Sequence, residues 1–269
     1  MKQKLVYIGT SSVGIQKIIE SNLFDFTKAI CEKKRVSDEY LNRIDKNNLQ
    51  LYTFETKEEF VNIIQQYNRN EYIFLIYQLD FIIPSVLTNA YLFFNLHAGD
   101  INTNRGAHPI IWSILNNDKT TDFTLHQINE KIDQGVLVTK YSINIEITDG
   151  VDEIKTKMEM GFNLILNQLD CFIKGDLHGT IIQGGIYRKP ICEHHYTIDL
   201  NDSKEIIENK IRSQKSYRGA VLYFENNKYF VDKLIEYNLK SNKRIGYKLE
   251  NKLITLNLPN ITYVFQINL

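Results

Sequence analysis

The sequence predicts a mostly parallel α/β sheet with helices on both faces, followed by a small, mainly β domain. Three observations predict it. Short continuous apolar runs, Leu5–Ile8, Tyr72–Tyr77 and Phe93–His97, read as strands buried on both faces. Helical patterns separate such runs, as where Phe60, Ile63, Ile64 and Tyr67 fall on one helical face. From about Leu177 the character changes to short strand-like runs around a single helix. The expected division is residues 1–176 as one domain and residues 177–269 as a second, β-rich one.

The first strand ends at Gly9-Thr10-Ser11-Ser12-Val13-Gly14, after which Ile15, Ile18 and Ile19 open a helix. This unit is Rossmann-like, but its glycines do not follow G-x-G-x-x-G, so no nicotinamide cofactor is expected. Phe26–Cys31 reads as the second strand, Ser37 as the cap of a helix reaching Arg43, and Leu49–Phe54 as the third strand. Thr56-Lys57-Glu58-Glu59 matches a capping box. Pro109 suits the first position of a helix carrying Ile110, Ile111, Trp112, Ile114 and Leu115. Phe123–Ile128 and Val136–Ile145 read as strands. Ile154, Met158, Phe162, Ile165, Leu169 and Phe172 then predict one long helix stopped at Lys174-Gly175. Further on, the expected elements are strands at 180–188, 220–224, 229–237, 253–258 and 261–267, a helix at 204–212, and a hairpin turn at Asn226-Asn227.

Composition narrows the function. The chain has 32 basic and 32 acidic residues, so overall charge does not favour nucleic acid or an anionic membrane. The carboxyl-terminal part from Leu177 is only mildly basic, with 14 Lys and Arg against 9 Asp and Glu. No signal-peptide pattern and no apolar stretch of membrane-spanning length is present, so a cytoplasmic protein is expected. Cys31, Cys171 and Cys192 form neither a disulfide framework nor a zinc pattern, and His178, His194 and His195 suggest no metal.

The chemistry centres on Phe93-Phe94-Asn95-Leu96-His97. Residues two apart on a strand share a face, so Asn95 and His97 project together where the strand ends, the place where ligands gather in parallel sheets. An amide donates to a developing oxyanion and a neutral imidazole moves a proton, a pairing suited to acyl transfer once a carboxylate joins it.

Asn95-Leu96-His97, Arg105-Gly106-Ala107-x-Pro109, Trp112, Thr124-Leu125-His126 and Asp133-x-Gly135 occur in this order and spacing. Together they resemble the formyltransferases that use N10-formyltetrahydrofolate, across roughly Met1 to Lys174. The resemblance implies a formyltransferase catalytic domain with Asn95, His97 and Asp133 as catalytic residues. It implies further that the pterin lies along the backbone at Leu79-Asp80-Phe81 and at Asn129, Glu130, Lys131 and Ile132. Arg105 matches a motif arginine that either binds ligand or orders its loop. After His97 many relatives continue Ser-Leu-Leu-Pro, whereas this chain has Ala98-Gly99-Asp100-Ile101, so the acceptor pocket is expected to differ.

Gly184-Gly185-Ile186-Tyr187-Arg188-Lys189 resembles a segment of the sugar formyltransferases. The implied acceptor is a nucleotide-linked amino sugar, a dTDP-3-amino or dTDP-4-amino dideoxy sugar for surface glycans such as O-antigen. By analogy, a homodimer is possible. Methionyl-tRNA formyltransferase and a non-catalytic nucleotide-sugar binding module are the alternatives. Trp112 is expected to pack, His126 to be structural, and His108 either to touch substrate or to serve its loop.

Overall fold

A computed structural model describes residues 1–239 and 246–268. In chain order the elements are β1 (Lys4–Gly9), α1 (Ser12–Ser21), β2 (Asp25–Glu32), α2 (Asp38–Lys46), β3 (Gln50–Phe54), α3 (Lys57–Gln65), β4 (Tyr72–Tyr77), α4 (Ser85–Thr88) and β5 (Leu92–His97). They continue with β6 (Arg105–Gly106), α5 (Pro109–Leu115), β7 (Thr120–Gln127), β8 (Val136–Asn144), α6 (Val151–Glu159), α7 (Phe162–Lys174), β9 (Thr180–Ile181) and β10 (Tyr187–Arg188). The last are α8 (Lys204–Ser213), β11 (Ala220–Phe224), β12 (Asn227–Leu239), β13 (Gly246–Glu250), β14 (Leu253–Leu258) and β15 (Ile261–Asn268).

The main sheet runs β3-β2-β1-β4-β5-β7-β8-β9. Its first five strands are parallel, and β7 turns back antiparallel to β5. This is the Rossmann-like arrangement that the alternating pattern predicts. The strand faces explain the continuous apolar runs. From β4, Phe74 and Ile76 enter a core with Val6, Ile8, Phe54, Phe60, Ile64 and Phe93, where Phe74 stacks on Phe93 at 4.8 Å. Tyr77, one residue on from Ile76, packs with Phe123 and Phe162 instead, at 5.4 and 5.5 Å. Local signals held: Ser37 and Thr56 accept hydrogen bonds from Tyr40 N and Glu59 N, and Pro109 opens α5.

By internal contacts the chain forms two compact units whose segments interleave. The first comprises Met1–Gly106, Asp122–Ile143 and Lys157–Tyr187; the second comprises Ala107–Thr121, Asn144–Thr156 and Arg188–Leu269. The short segments join the second unit through specific bonds. Arg212, 8% exposed, donates to the Glu146 and Asp149 carbonyls at 3.1 and 3.0 Å, and Trp112 Nε1 donates to Lys189 O at 3.0 Å. This unit carries the antiparallel sheet β11-β12-β15-β14-β13.

Three local expectations need correction. The long helix is two helices, α6 and α7, separated at Met160-Gly161. A Cβ at Gly161 would lie 2.3 Å from the Tyr141 ring, so the backbone approaches β8 too closely for a side chain. The strand expected over 180–188 survives only at its ends, because Gly184 and Gly185 take φ of 76° and 84°. The hairpin turn sits one residue earlier, on Glu225 and Asn226, both with positive φ, and Phe224 pairs with Asn227. Two such positive φ values give the twist that a tight hairpin needs. The same device at Asn251 and Lys252 joins β13 to β14, a hairpin the sequence reading missed. Among the described residues no helix is long and apolar enough to cross a membrane.

Gly135 locks the loop after β7: a Cβ there would lie 1.7 Å from Gln127 O. Gly135→Ala is therefore expected to destabilise the protein by roughly 1–3 kcal/mol, read as a lower urea midpoint with an unchanged m-value.

Candidate active site

Phe93, Asn95 and His97 share one face of β5, apolar first and polar at the exit. The antiparallel register sets Asn95 opposite His126 and His97 opposite Thr124. That pairing brings an imidazole beside the amide: Asn95 Nδ2 and His126 Nε2 are 3.2 Å apart. Asp133 arrives from the loop between β7 and β8. In that loop Lys131 N donates to Asn129 Oδ1 at 2.8 Å and Gln134 N to Lys131 O at 3.3 Å.

The carboxylate is held on several sides. Asp133 Oδ2 accepts from Gly106 N at 2.7 Å and lies 3.7 Å from His97 Nδ1, while Oδ1 is 3.3 Å from His126 Nε2. Its backbone is left-handed, with φ of 50°, a conformation that costs an L-residue roughly 1–2 kcal/mol. Burial pushes the Asp133 pKa up. The hydrogen bond from His126, the nearby imidazoles and the Gly106 amide outweigh burial and hold the carboxyl well below its ordinary range.

His97 is 6% exposed. Its Nε2–H donates to Asn104 O at 2.8 Å, which leaves the Nδ1 lone pair toward Asp133. The carbonyl is delivered by a compact turn in which Asn102 N bonds Asp100 Oδ1 at 2.9 Å and Asn104 N bonds Asp100 O at 2.8 Å. Burial lowers the His97 pKa, with Asp133 and the Asn104 carbonyl opposing it, so the ring is neutral near pH 7. A neutral imidazole with a free Nδ1 can take a proton, and the resulting cation would meet a carboxylate already in place.

The backbone carbonyl of Asn104 thus fixes the tautomer. His126 Nε2 touches both Asp133 and Asn95. His126 Nδ1 lies 3.4 Å from Gln127 O, so the tautomer decides whether Nε2 accepts from Asn95 Nδ2 or donates to Asp133 Oδ1. The signal for His126 was its period-2 position in β7, readable only once the register with β5 is known.

Asn95, His97 and Asp133 therefore come together. Asn129, Glu130 and Lys131 line an open cleft of about 420 Å³ with Gln134 and Ile181–Gly184. Asp80 and Phe81 border another, of about 450 Å³, with Glu32, Lys34 and Arg35. Asp80 pairs with Arg35, and the Phe81 ring packs on Phe54 and Phe60, as Leu79 packs on the same core. Arg105 donates to Ile132 O at 3.3 Å and Gly185 O at 2.9 Å, so its terminal nitrogens tie two loops together. His108 Nδ1 accepts from Ile191 N at 3.0 Å, a loop-ordering contact.

Residues 14–164, more than half of the chain, match the formyl transferase family. The chain belongs to that family. Over 142 residues it is 32% identical to the bifunctional polymyxin resistance protein ArnA of Wigglesworthia glossinidia brevipalpis, covering 51% of this chain and 22% of that one. It is 26% identical to the methionyl-tRNA formyltransferase of Flavobacterium johnsoniae, covering 95% of this chain and 89% of that protein. Among solved structures, the N-formyltransferase of Helicobacter canadensis in complex with folinic acid and dTDP-3-aminofucose superposes with a TM-score of 0.71. That match has 17% identity and covers 99% of this chain and all of the other. The formyl transferase fold thus carries the Asn95–His97–Asp133 cluster at the exit of β5.

Both site ionisations favour the native state at neutral pH. Asp133 has a folded pKa below its ordinary value of 3.8, and His97 one below 6.5. Each contribution is present above the ordinary value and lost as pH falls through the folded one. Stability is therefore expected to drop from below about pH 6.5, and His97→Gln should flatten the upper part of that decline in urea melts taken at several pH values.

Proposed function

We propose that the protein transfers a formyl group from N10-formyltetrahydrofolate to the amine of a nucleotide-linked amino sugar, a dTDP-linked 3- or 4-amino dideoxy sugar destined for surface glycans such as the O-antigen. The observation that carries formyl transfer is the clustering of an amide, a neutral imidazole and an ionised carboxylate at one strand exit. In this reading His97 accepts the proton that the attacking amine gives up. Asn95 donates from its NH₂ to the oxyanion of the tetrahedral intermediate. Asp133 stabilises the imidazolium, which returns a proton to the departing N10.

The open cleft lined by Asn129, Glu130 and Lys131 supports a pterin site beside Ile132, with Leu79-Asp80-Phe81 and Arg105 as its further boundary. Phe81 and Arg105 have their side chains engaged elsewhere, so that boundary is backbone. Support for a sugar acceptor comes from the Helicobacter canadensis structure, whose ligands are folinic acid and dTDP-3-aminofucose, and from the Gly184–Lys189 segment. Residues 1–176 would be the catalytic domain of a cytoplasmic enzyme and 177–269 its β-rich partner, the region through which a homodimer would form.

A second reading, formylation of methionyl-tRNA, is favoured by the relative from Flavobacterium johnsoniae, which matches nearly the full length of both chains. The balanced charge argues against it, because tRNA binding relies on neutralising phosphates. Incubating the protein and formyl donor with dTDP-, UDP- and GDP-amino sugars, and separately with methionyl-tRNA, decides between them by mass spectrometry. A formyl group on a dTDP-amino sugar and none on methionyl-tRNA is expected; the reverse would sink the proposal.

Asn95→Ala is expected to lower kcat by roughly 10²–10³, the usual cost of an oxyanion donor. His97→Ala and Asp133→Ala should abolish transfer with the circular dichroism spectrum unchanged. Full turnover in either would remove its assigned role.

A further inference from the structure

Cys192, His194 and His195 lie on one short 3₁₀ turn of the second unit. Their ligating atoms all fall within 4.8 Å of one another. Cys192 Sγ is 3.2 Å from His194 Nδ1 and 3.3 Å from His195 Nδ1. The centroids of the two imidazole rings are 3.8 Å apart, with their planes tilted by 32°.

We propose that Cys192, His194 and His195 form a binding site for a borderline-soft divalent metal ion of the Zn²⁺ class. The donor set suits such an ion, which takes thiolate and imidazole together. With metal–sulfur and metal–nitrogen bonds of about 2.3 and 2.0–2.1 Å, tetrahedral ligation separates sulfur from nitrogen by roughly 3.5 Å. The observed separations are within a few tenths of an ångström of that.

Turn formation explains only part of the arrangement. His195 Nδ1 accepts from Cys192 N at 3.1 Å, an ordinary cap of the turn. That bond gives no reason for His194 Nδ1 to approach the same sulfur. Metal binding exchanges the cap for a stronger ligation. Glu193, between the donors, is taken up by Tyr223 and Lys228, so it anchors the turn and is not a fourth ligand. Cys192 and His194 are exposed, which gives the ion an entry path and leaves the remaining coordination position to water.

The site has a built-in reporter. His195 packs edge-on against Trp112 at 4.8 Å between ring centroids, and Trp112 is the sole tryptophan of the chain. An open-shell ion held at His195 would quench its fluorescence.

Untagged protein under reducing, chelator-free conditions is titrated with Co²⁺ alone, following the near-ultraviolet thiolate-to-cobalt band and Trp112 emission. One equivalent is expected to saturate both signals, and Zn²⁺ to reverse both. Affinity should fall with acid as protons compete for the ligands. Cys192→Ala should erase the band and weaken binding at least tenfold. His194→Ala should weaken it at least tenfold with Trp112 emission of the metal-free protein unchanged. Cys171→Ser should change nothing. Absence of the charge-transfer band in the unaltered protein, or its persistence in Cys192→Ala, overturns the site.

Discussion

The position of the Asp133 carboxylate is the constraint on which the site depends. One of its oxygens is held by a backbone amide, Gly106 N, and the other by His126. Those contacts offset a left-handed backbone that few L-residues adopt. The loop carrying Asp133 can bend so tightly only because Gly135 lets β8 start against the carbonyl that ends β7. A single buried charge therefore ties the loop after β7 to Gly106 and to the two imidazoles at the ends of β5 and β7.

Electrostatics and tautomer divide the work between two histidines. His97 is neutral because burial dominates over its acidic neighbour, and its protonated nitrogen is assigned by a main-chain carbonyl. A backbone acceptor cannot itself change charge, so the tautomer does not depend on the ionisation of that partner. His126 contacts both the carboxylate and the Asn95 amide through the same ring nitrogen. Amide orientation, imidazole tautomer and carboxylate ionisation are thus one coupled assignment.

The second unit follows a different logic. Two of its hairpins turn on Glu225-Asn226 and Asn251-Lys252 at positive φ, with no glycine at those positions. It recruits two internal segments by buried polar bonds, Arg212 to Glu146 and Asp149 above all. Those contacts join residues more than sixty apart in sequence, which composition alone does not reveal.

By itself the sequence determined what depends on near neighbours. The strands of the parallel sheet follow from uninterrupted apolar runs, the helix starts from Ser37, Thr56 and Pro109, and the Asn95–His97 pair from period-2 alternation. The ordered motifs also identified the family. Only the tertiary structure decided what depends on register and close approach. His126 meets Asn95 across antiparallel strands, Asn104 holds His97 from a turn folded back on it, and Tyr141 leaves no room for a side chain at Gly161, where the two helices part. In each case the deciding partner sits on another element, at a distance the linear order of residues does not encode.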